Sequence, residues 1–153
     1  METSAVLLYL LKFADKDYQF GFKDELEQSD CIQWLFFWHG GGVPYQSNLR
    51  YFRRGTEQSP FAIQRFRKET FQVFGVLEIR LSGKYTGEPR DYLTGNGKGT
   101  YSVADIGTWG SVRYWQRYGY TKEEMQGFPH LLQWIARIAE RPAVKKVTGD
   151  LRV

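Results

Sequence analysis

The side chains that titrate nearest neutral pH in this 153-residue sequence are two histidines and one cysteine. His39 is followed by three consecutive glycines and lies at the end of an aromatic-rich segment. A neutral imidazole in such a place could take a proton from a thiol or from a carbon atom, which makes His39 the candidate catalytic residue. The alternative is a polar residue at a break in a helix. His130 falls in the first turn of a predicted helix, and we interpret it as a surface residue.

The single cysteine, Cys31, lies on an aromatic-rich helix, and we interpret it as packed and inert. With one cysteine no intramolecular disulfide can form and nothing points to an oxidising compartment, so the expected location is the cytoplasm. No cluster of histidine, cysteine and carboxylate residues has metal-ligand spacing, and no Ser/His/Asp arrangement can be proposed. We therefore expect no metal site.

The composition is that of an ordinary globular domain, with 42% hydrophobic and 25% charged residues. Aromatic residues make up 17%, which requires either a large core or a cavity lined with rings. The net charge of +4 suits a small anionic ligand and falls short of a nucleic-acid-binding surface. The apolar run at residues 5–11 is too short to span a bilayer. We expect neither a nucleic acid nor a membrane as partner.

Helix signals dominate, and no pair of strands is convincing, so the predicted fold class is all-α. The first helix spans about residues 4–13 and is apolar nearly all round, which predicts that other elements bury it. A second helical stretch runs from about residue 23 to 54, and the glycines that precede Pro44 should interrupt it. Three aromatic residues of this stretch are expected in the core, namely Trp34, Phe36 and Phe37.

The third helix begins at Pro60 and is followed by Gly83, which should stop it. Its apolar and inward-facing residues recur at steps of three or four: Ile63, Phe66, Thr70, Val73, Leu77 and Leu81. The segment at residues 84–100 is rich in glycine and is predicted to be a loop.

The fourth helix has the sharpest start signal in the sequence. Ser102 can cap the free backbone N–H groups, Asp105 can reach back to Ser102, and Tyr101 can pack on Ile106. The last helix is predicted at residues 129–141, with Leu131, Leu132, Ile135, Ile138 and Ala139 facing inward and Pro142 ending it.

Four segments, in this order, resemble the C-terminal domain of glutathione transferases, in particular the fungal and bacterial class related to the yeast nitrogen-regulator prion protein. They are ETSAVLLYLL (2–11), QWLFFWHGGGVPYQSNLRYF (33–52), YSVADIGTWGSV (101–112) and FPHLLQWIARIAERPAV (128–144). The resemblance implies a bundle of helices at residues 18–153. It also implies that residues 1–17 are the last helix of a thioredoxin-like domain, most of which is missing.

In that family an acidic residue followed by Ser or Thr opens a helix and binds the γ-glutamyl end of glutathione. Here the pair is Glu2 and Thr3, so the resemblance assigns both to glutathione binding. A helix N-terminus presents unpaired N–H donors and a partial positive charge, and Glu2 could pair with the ligand's ammonium group. The alternative is a frayed and solvated chain start.

The family's second-substrate pocket lies between the long second helix and the fourth helix. Carried over to this sequence, its wall should include Trp38, His39, Val43, Tyr45, Gln46, Leu49, Trp109 and Val112. For Tyr45 and Trp109 a place in the core is the alternative.

Complete members carry their thiol-activating Ser, Tyr, Cys or Asn in the part that is missing here. The function we expect is therefore a glutathione-dependent trans/cis isomerase of an activated olefin in a fungal polyketide pathway. The thiolate would add reversibly to a polarised double bond, and elimination after rotation would return it. The alternatives are a transferase that conjugates electrophiles and a non-catalytic glutathione-binding remnant.

We expect a homodimer, because the aromatic surface left exposed by the missing domain would need covering. In bacterial relatives a third-helix arginine reaches glutathione across the dimer, and the matching position here is Gln72, which puts that contact in doubt. A basic region around the turn after the second helix could attract glutathione's carboxylates or RNA, or be a solvated helix end; it comprises Arg50, Arg53, Arg54, Arg65, Arg67 and Lys68.

Overall fold

Each segment with helical periodicity forms a helix in the computed structural model, which describes residues 2–56 and 58–148. The helices are α1 (Thr3–Ala14), α2 (Glu25–Phe37), α3 (Val43–Arg54), α4 (Pro60–Leu81), α5 (Val103–Val112), α6 (Lys122–Met125), α7 (Pro129–Ala139) and α8 (Pro142–Thr148). Within those ranges there is no strand, only an isolated bridge between Thr94 and Thr100, so the all-α prediction is confirmed. None of the described helices is long and apolar enough to cross a membrane. Residues 149–153 of the predicted domain lie outside the described ranges.

The main core forms around α4, which packs against α3 on one side and α7 on the other. Trp38 and Trp134 are its largest members, and both are fully buried. The Trp38 ring stacks on Phe74 of α4, with ring centroids 6.3 Å apart. Most of the predicted inward residues of α4 and α7 are buried as expected, whereas Phe36 of α2, predicted to be in the core, is 47% exposed. Trp34 and Phe37 are half-buried against the core.

A smaller core lies between α1, α2 and α5. Its fully buried members include Cys31 and Leu35 of α2, and Leu7, Leu8 and Leu11 of α1 pack against them. The prediction that α1 is buried all round is wrong. Only Ser4 of α1 is fully buried, because the helix contacts its neighbours along one side, and its outer face exposes Val6, Tyr9, Leu10 and Phe13.

The predicted interruption of the second helix is a π-helical turn at Trp38–Gly42 that joins α2 to α3 without a break in the backbone. Gly42 is needed here, because a Cβ atom at this position would lie 2.2 Å from the Trp38 ring. The extra residue per turn lets the buried Trp38 ring lie across the junction. π-Helical turns of this kind are frequent at functional sites.

The predicted start of α5 at Ser102 is confirmed. Asp105 is fully buried, and its carboxylate accepts hydrogen bonds from Ser102 N–H at 3.0 Å, Leu93 N–H at 3.0 Å and the Trp134 indole at 2.8 Å. The Ser102 hydroxyl also donates to it, at 3.1 Å. The carboxylate therefore joins the loop before α5, the start of α5 and α7.

The C-terminal part differs from the prediction. The last predicted helix ends at Ala139 rather than at residue 141, and Pro142 begins α8 instead of ending a helix. Proline suits both places, since the first turn of a helix needs no N–H donor. A 3₁₀ turn at Trp115–Tyr118 and the short α6 had not been predicted.

Replacing the buried carboxylate by an amide tests its part in the fold. In Asp105→Asn one acceptor oxygen becomes a donor that faces other donors, so we expect the free energy of unfolding in urea at pH 7 to fall by about 3 kcal/mol. Asp17→Asn, which changes an exposed carboxylate, is the control and should cost less than about 0.5 kcal/mol.

The same pair of proteins gives a pH dependence. Burial raises the pKa of Asp105 from its ordinary 3.8 to about 6, against the opposing effect of its hydrogen-bond donors. Because the folded pKa is the higher one, the pH-dependent part of the stability that Asp105 contributes is fully present below pH 3.8 and is lost as the pH rises through about 6. The stability gap between wild type and Asp105→Asn should thus be wider at pH 4 than at pH 7, by roughly 2 kcal/mol. A gap that widens with rising pH would show that folding lowers this pKa instead.

Candidate functional site

The start of α1 has the features of an anion-binding helix terminus. Glu2 is the N-cap residue, with extended backbone angles, and its carbonyl accepts the first helical hydrogen bond, from Val6 N–H at 3.1 Å. Its side chain makes no capping bond, and the first turn of α1 holds no acidic residue. The free N–H groups of this turn and the exposed Glu2 and Thr3 side chains are therefore available to a ligand.

Ser4 adds a feature that the sequence reasoning missed. Its side chain is fully buried, and its hydroxyl has no hydrogen-bond partner among the described residues. A buried hydroxyl without a partner costs free energy, and at the first turn of a helix it adds one more donor or acceptor beside the free N–H groups. Its place one turn before Leu7 and Leu8, on the face that packs inward, was the signal in the sequence.

His39 is half-buried in the π-helical turn. Its Nδ1 lies 3.0 Å from the carbonyl oxygen of Leu35. A carbonyl can only accept, so Nδ1 carries the proton and the neutral ring has its lone pair on Nε2. This tautomer is the one that a proton acceptor at Nε2 requires.

Gly107 of α5 brings His39 and α1 together. A Cβ atom on Gly107 would lie 2.8 Å from His39 Cε1 and 3.2 Å from Leu7 Cδ1. Leu7 is one helical turn after Thr3, so the candidate catalytic histidine and the candidate anion-binding helix start lie on the same side of α5. The structure thus places His39 and Leu7, one turn after the candidate anion-binding residue Thr3, against the same glycine of α5.

Most residues of the predicted pocket wall are buried in this structure. Five of its residues are in the protein interior, with at most 6% of their surface exposed: Trp38, Gln46, Leu49, Trp109 and Val112. In this structure these side chains are part of the core, and a role in a second-substrate pocket stays a prediction. Trp38 donates from its indole to Ser111 Oγ at 2.7 Å, and Trp109 donates to the Ile135 carbonyl at 2.9 Å. Val43 and Tyr45 are half-buried and retain exposed surface.

An apolar cleft of about 290 Å³ lies instead between α1, the turn after it and the start of α5. Its walls are mainly Leu7, Leu10 and Leu11 of α1 with Val103 and Ile106 of α5. Charged and polar residues of the turn at 15–19 form the rim. Leu7 belongs both to this cleft and to the junction at Gly107, so the cleft adjoins the side of α5 that carries His39.

The other predicted reactive groups have structural surroundings. Cys31 is fully buried and burial raises the pKa of its thiol, which agrees with the interpretation of an inert cysteine. His130 is more than a surface residue, because its Nδ1 and its backbone N–H both contact the Glu78 carboxylate, at 2.7 and 3.3 Å. Across residues 2–56 and 58–148, no group of three or more His, Cys, Asp or Glu side chains could hold a metal ion.

The basic region is in part structural. Arg67 donates to the Gly119 carbonyl and pairs with Glu124, and Arg53 donates to the Tyr118 carbonyl. These two arginines attach the 3₁₀ turn and α6 to α3 and α4. Gln72 is exposed on α4.

Comparison with known proteins gives a consistent family. Residues 60–137 match the family model described as the C-terminal domain of glutathione S-transferase. The chain is 34% identical over 157 residues to the disulfide-bond oxidoreductase YfcG of Escherichia coli, covering 99% of this chain and 66% of that protein. It is 30% identical over 163 residues to the glutathione S-transferase-like protein tpcF of Aspergillus fumigatus, covering 98% and 68%.

Among solved structures, Ure2p in complex with glutathione superposes with a TM-score of 0.78 at 26% identity, covering 95% of this chain and 64% of that one. Ure2p is the yeast prion protein with a nitrogen regulation fragment, which is the class that the sequence resembled. The chain spans about two thirds of the length of the relatives it matches.

Two glycines of α5 give a matched test of the junction. Gly107→Ala would place a methyl group 2.6 Å from Leu35 Cδ1 and 2.8 Å from His39 Cε1. We expect a loss of about 1–3 kcal/mol in the free energy of unfolding and a shift of the His39 imidazole signals in the NMR spectrum. In Gly110→Ala the methyl group would meet nothing within 4 Å, so this variant should gain up to about 1 kcal/mol. Equal effects of the two substitutions would contradict the close approach at Gly107.

Proposed function

Because the chain belongs to the glutathione S-transferase family through its C-terminal domain, we propose that the protein is a glutathione-dependent enzyme. The reaction we propose is the trans/cis isomerisation of an activated olefin in a fungal polyketide pathway. The observation that carries this proposal is the junction at Gly107, where Leu7 of α1 and the ring of His39, whose Nδ1 is held by the Leu35 carbonyl, approach the same glycine of α5.

The residues at the start of α1 fit the γ-glutamyl end of glutathione. The ligand's carboxylate would take the N–H groups of the first turn together with the Thr3 hydroxyl, and Glu2 would face its ammonium group. The unpaired Ser4 hydroxyl next to them supports a polar ligand at this place, because such a ligand could supply the missing hydrogen bond.

When bound, glutathione supplies a thiol that can add to a polarised double bond and leave again after rotation about the resulting single bond. His39 contributes the proton acceptor: Nε2 is free in the neutral ring, while Nδ1 is held by the Leu35 carbonyl. An imidazole fixed in this way can take a proton from the thiol or a carbon atom and return it to the same reactants.

Isomerisation requires fewer catalytic groups from the protein than conjugation does. The reactants must be close and oriented, which can lower a barrier by several kcal/mol, and no net group transfer is needed. A chain that retains the helix start, one free imidazole nitrogen and an adjoining apolar cleft could meet that requirement. The cleft walls, with Val43 and Tyr45, are the surfaces that we propose for the olefin.

We propose that residues 1–17 are the last helix of a thioredoxin-like domain and that residues 18–153 are the helical domain. The exposed outer face of α1 supports this division, since an apolar helix face of this kind normally packs against another element. We also propose that the protein is a homodimer in the cytoplasm. Light scattering behind gel filtration tests the dimer, and a monomeric mass at micromolar concentration would overturn it.

Glutathione binding is the first test of the proposed function. Titration calorimetry should show binding to the wild type, and Glu2→Gln and Thr3→Val should each weaken it about tenfold, because each removes one charge-assisted hydrogen bond. Glu25→Gln, at the exposed first turn of α2, is the matched control and should bind as the wild type does. If glutathione fails to bind, or binds all four proteins equally, the proposed isomerase and the alternative conjugating transferase are both overturned.

The second test separates isomerisation from its rivals. With dimethyl maleate and glutathione, proton NMR should show dimethyl fumarate appearing faster than without protein and no build-up of the thiol adduct. His39→Asn should lower this rate about a hundredfold with glutathione affinity unchanged, whereas His130→Asn should lower it less than twofold. Faster loss of glutathione to an adduct, or to a chlorodinitrobenzene substrate, would establish the conjugating transferase instead. Rapid reduction of hydroxyethyl disulfide would establish a disulfide reductase.

A further inference from the structure

Arg113 is a buried guanidinium group with unsatisfied donors. It is the C-cap residue of α5, and only 8% of its surface is exposed. Its Nε and one terminal nitrogen, Nη1, are both buried, and neither has a hydrogen-bond partner in the described part of the chain. Among those residues no carboxylate forms an ion pair with it. A buried arginine that leaves two of its nitrogens without an acceptor is costly and rare, since arginine brings five donors and no acceptor.

Aromatic rings hold this guanidinium in place. Its central carbon lies 4.3 Å from the ring centroid of Trp109 and 4.3 Å from that of Tyr114. Rings that stack on the faces of a guanidinium leave its N–H groups directed outward in the plane, where they suit a carboxylate. The remaining nitrogen, Nη2, donates to the Tyr114 hydroxyl, which is a neutral acceptor on a half-buried side chain.

The position of Arg113 on α5 connects it to the apolar cleft. Ile106, Gly110 and Arg113 follow each other at steps of four and three residues, so they lie on one face of the helix. Ile106 is a wall of the cleft, and a Cβ atom on Gly110 would meet nothing within 4 Å. From Ile106 to Arg113 the helix axis rises about 10 Å, and Gly110 between them is exposed and adds no side chain of its own.

We propose that Arg113 binds the carboxylate of an elongated, largely apolar substrate whose other end occupies the cleft beside Ile106. The carboxylate would displace the Tyr114 hydroxyl from Nη2 and accept from the same side of the guanidinium. The proposal rests on the proposed function only in that this substrate is the olefin; the anion site itself is independent of glutathione. It narrows the substrate class to activated olefins that carry an acid group at one end.

The C-terminus of α5 explains why Arg113 is tolerated there without a carboxylate partner. The C-terminus of α5 carries a partial negative charge that favours a cation beside it. This field supplies no acceptor for the buried N–H groups, however, so the hydrogen bonds remain to be made by a ligand.

The test uses the whole chain without glutathione and two probes, 2,4-decadienoate and its methyl ester, which differ in charge and share the apolar chain. Calorimetry should show that wild type binds the acid at least tenfold more tightly than the ester. Arg113→Gln should weaken acid binding about tenfold or more and leave ester binding unchanged, which also shows that this variant folds. Arg113→Lys, which keeps the charge and loses the planar fork, should fall between the two.

Two further variants distinguish the buried guanidinium from general positive charge. Arg117→Gln removes an exposed guanidinium whose central carbon lies 4.1 Å from the centroid of the same Tyr114 ring, and it should change acid binding less than twofold. Tyr114→Phe removes the competing hydroxyl, so it should bind the acid as tightly as wild type or several times more tightly.

The proposal is overturned if acid and ester bind equally to wild type, if Arg117→Gln weakens the acid as much as Arg113→Gln, or if Tyr114→Phe abolishes acid binding. If the protein does not bind glutathione but binds the acid through Arg113, the anion site is supported and the proposed glutathione-dependent function is overturned.

Discussion

The carboxylate of Asp105 fixes α5, and the candidate site depends on where α5 lies. Four hydrogen bonds reach this buried group, from the loop residue Leu93, from Ser102 through both its N–H and its hydroxyl, and from Trp134 of α7. Because burial favours the protonated form, the ionised carboxylate needs these donors to remain charged. The Asp105 carboxylate therefore fixes both the start and the direction of α5. The positions of the other α5 residues follow from this.

Successive turns of α5 then contribute different kinds of residue to one face of the helix. Val103 and Ile106 close the apolar cleft, Gly107 admits His39 and Leu7, Gly110 leaves a flat surface, and Arg113 ends the row. The π-helical turn completes the arrangement from the other side, since the Trp38 indole bonds to Ser111 while His39, the next residue, lies against Gly107. A regular α-helix over residues 38–42 would change the relative directions of these two side chains, so the π turn is what lets Trp38 enter the core beside an accessible His39.

Local chemistry made much of this predictable. The Ser102 and Asp105 pair determines a helix start by itself, the periodicity of α4 determines its buried face, and Pro44 after three glycines indicates an irregular turn. The predicted pocket wall was beyond the reach of this local chemistry. Helical spacing predicts which residues share a face of a helix, but not whether that face meets the core or a cavity. Trp38, Leu49 and Val112 each lie on the side of their own helix that faces the core. The prediction that α1 is buried all round was wrong for a similar reason, because an apolar pattern does not tell which other element covers the helix. Arg113 had no signal beyond an aromatic residue one turn earlier, since a missing acceptor is a property of the folded surroundings.

The two buried charges of α5 explain which parts of the helix are structural and which can change. Each lies at the end of the helix whose dipole favours it, Asp105 in the first turn and Arg113 at the C-cap. Asp105 has all its acceptor positions supplied by the chain, so any ligand there would have to break bonds that hold three segments together. Arg113 has ring contacts that fix its plane but lacks acceptors for two nitrogens, so a ligand would add bonds without breaking any that the fold requires. The difference in hydrogen bonding, rather than in charge or burial, makes one end of α5 an anchor and the other end a binding surface.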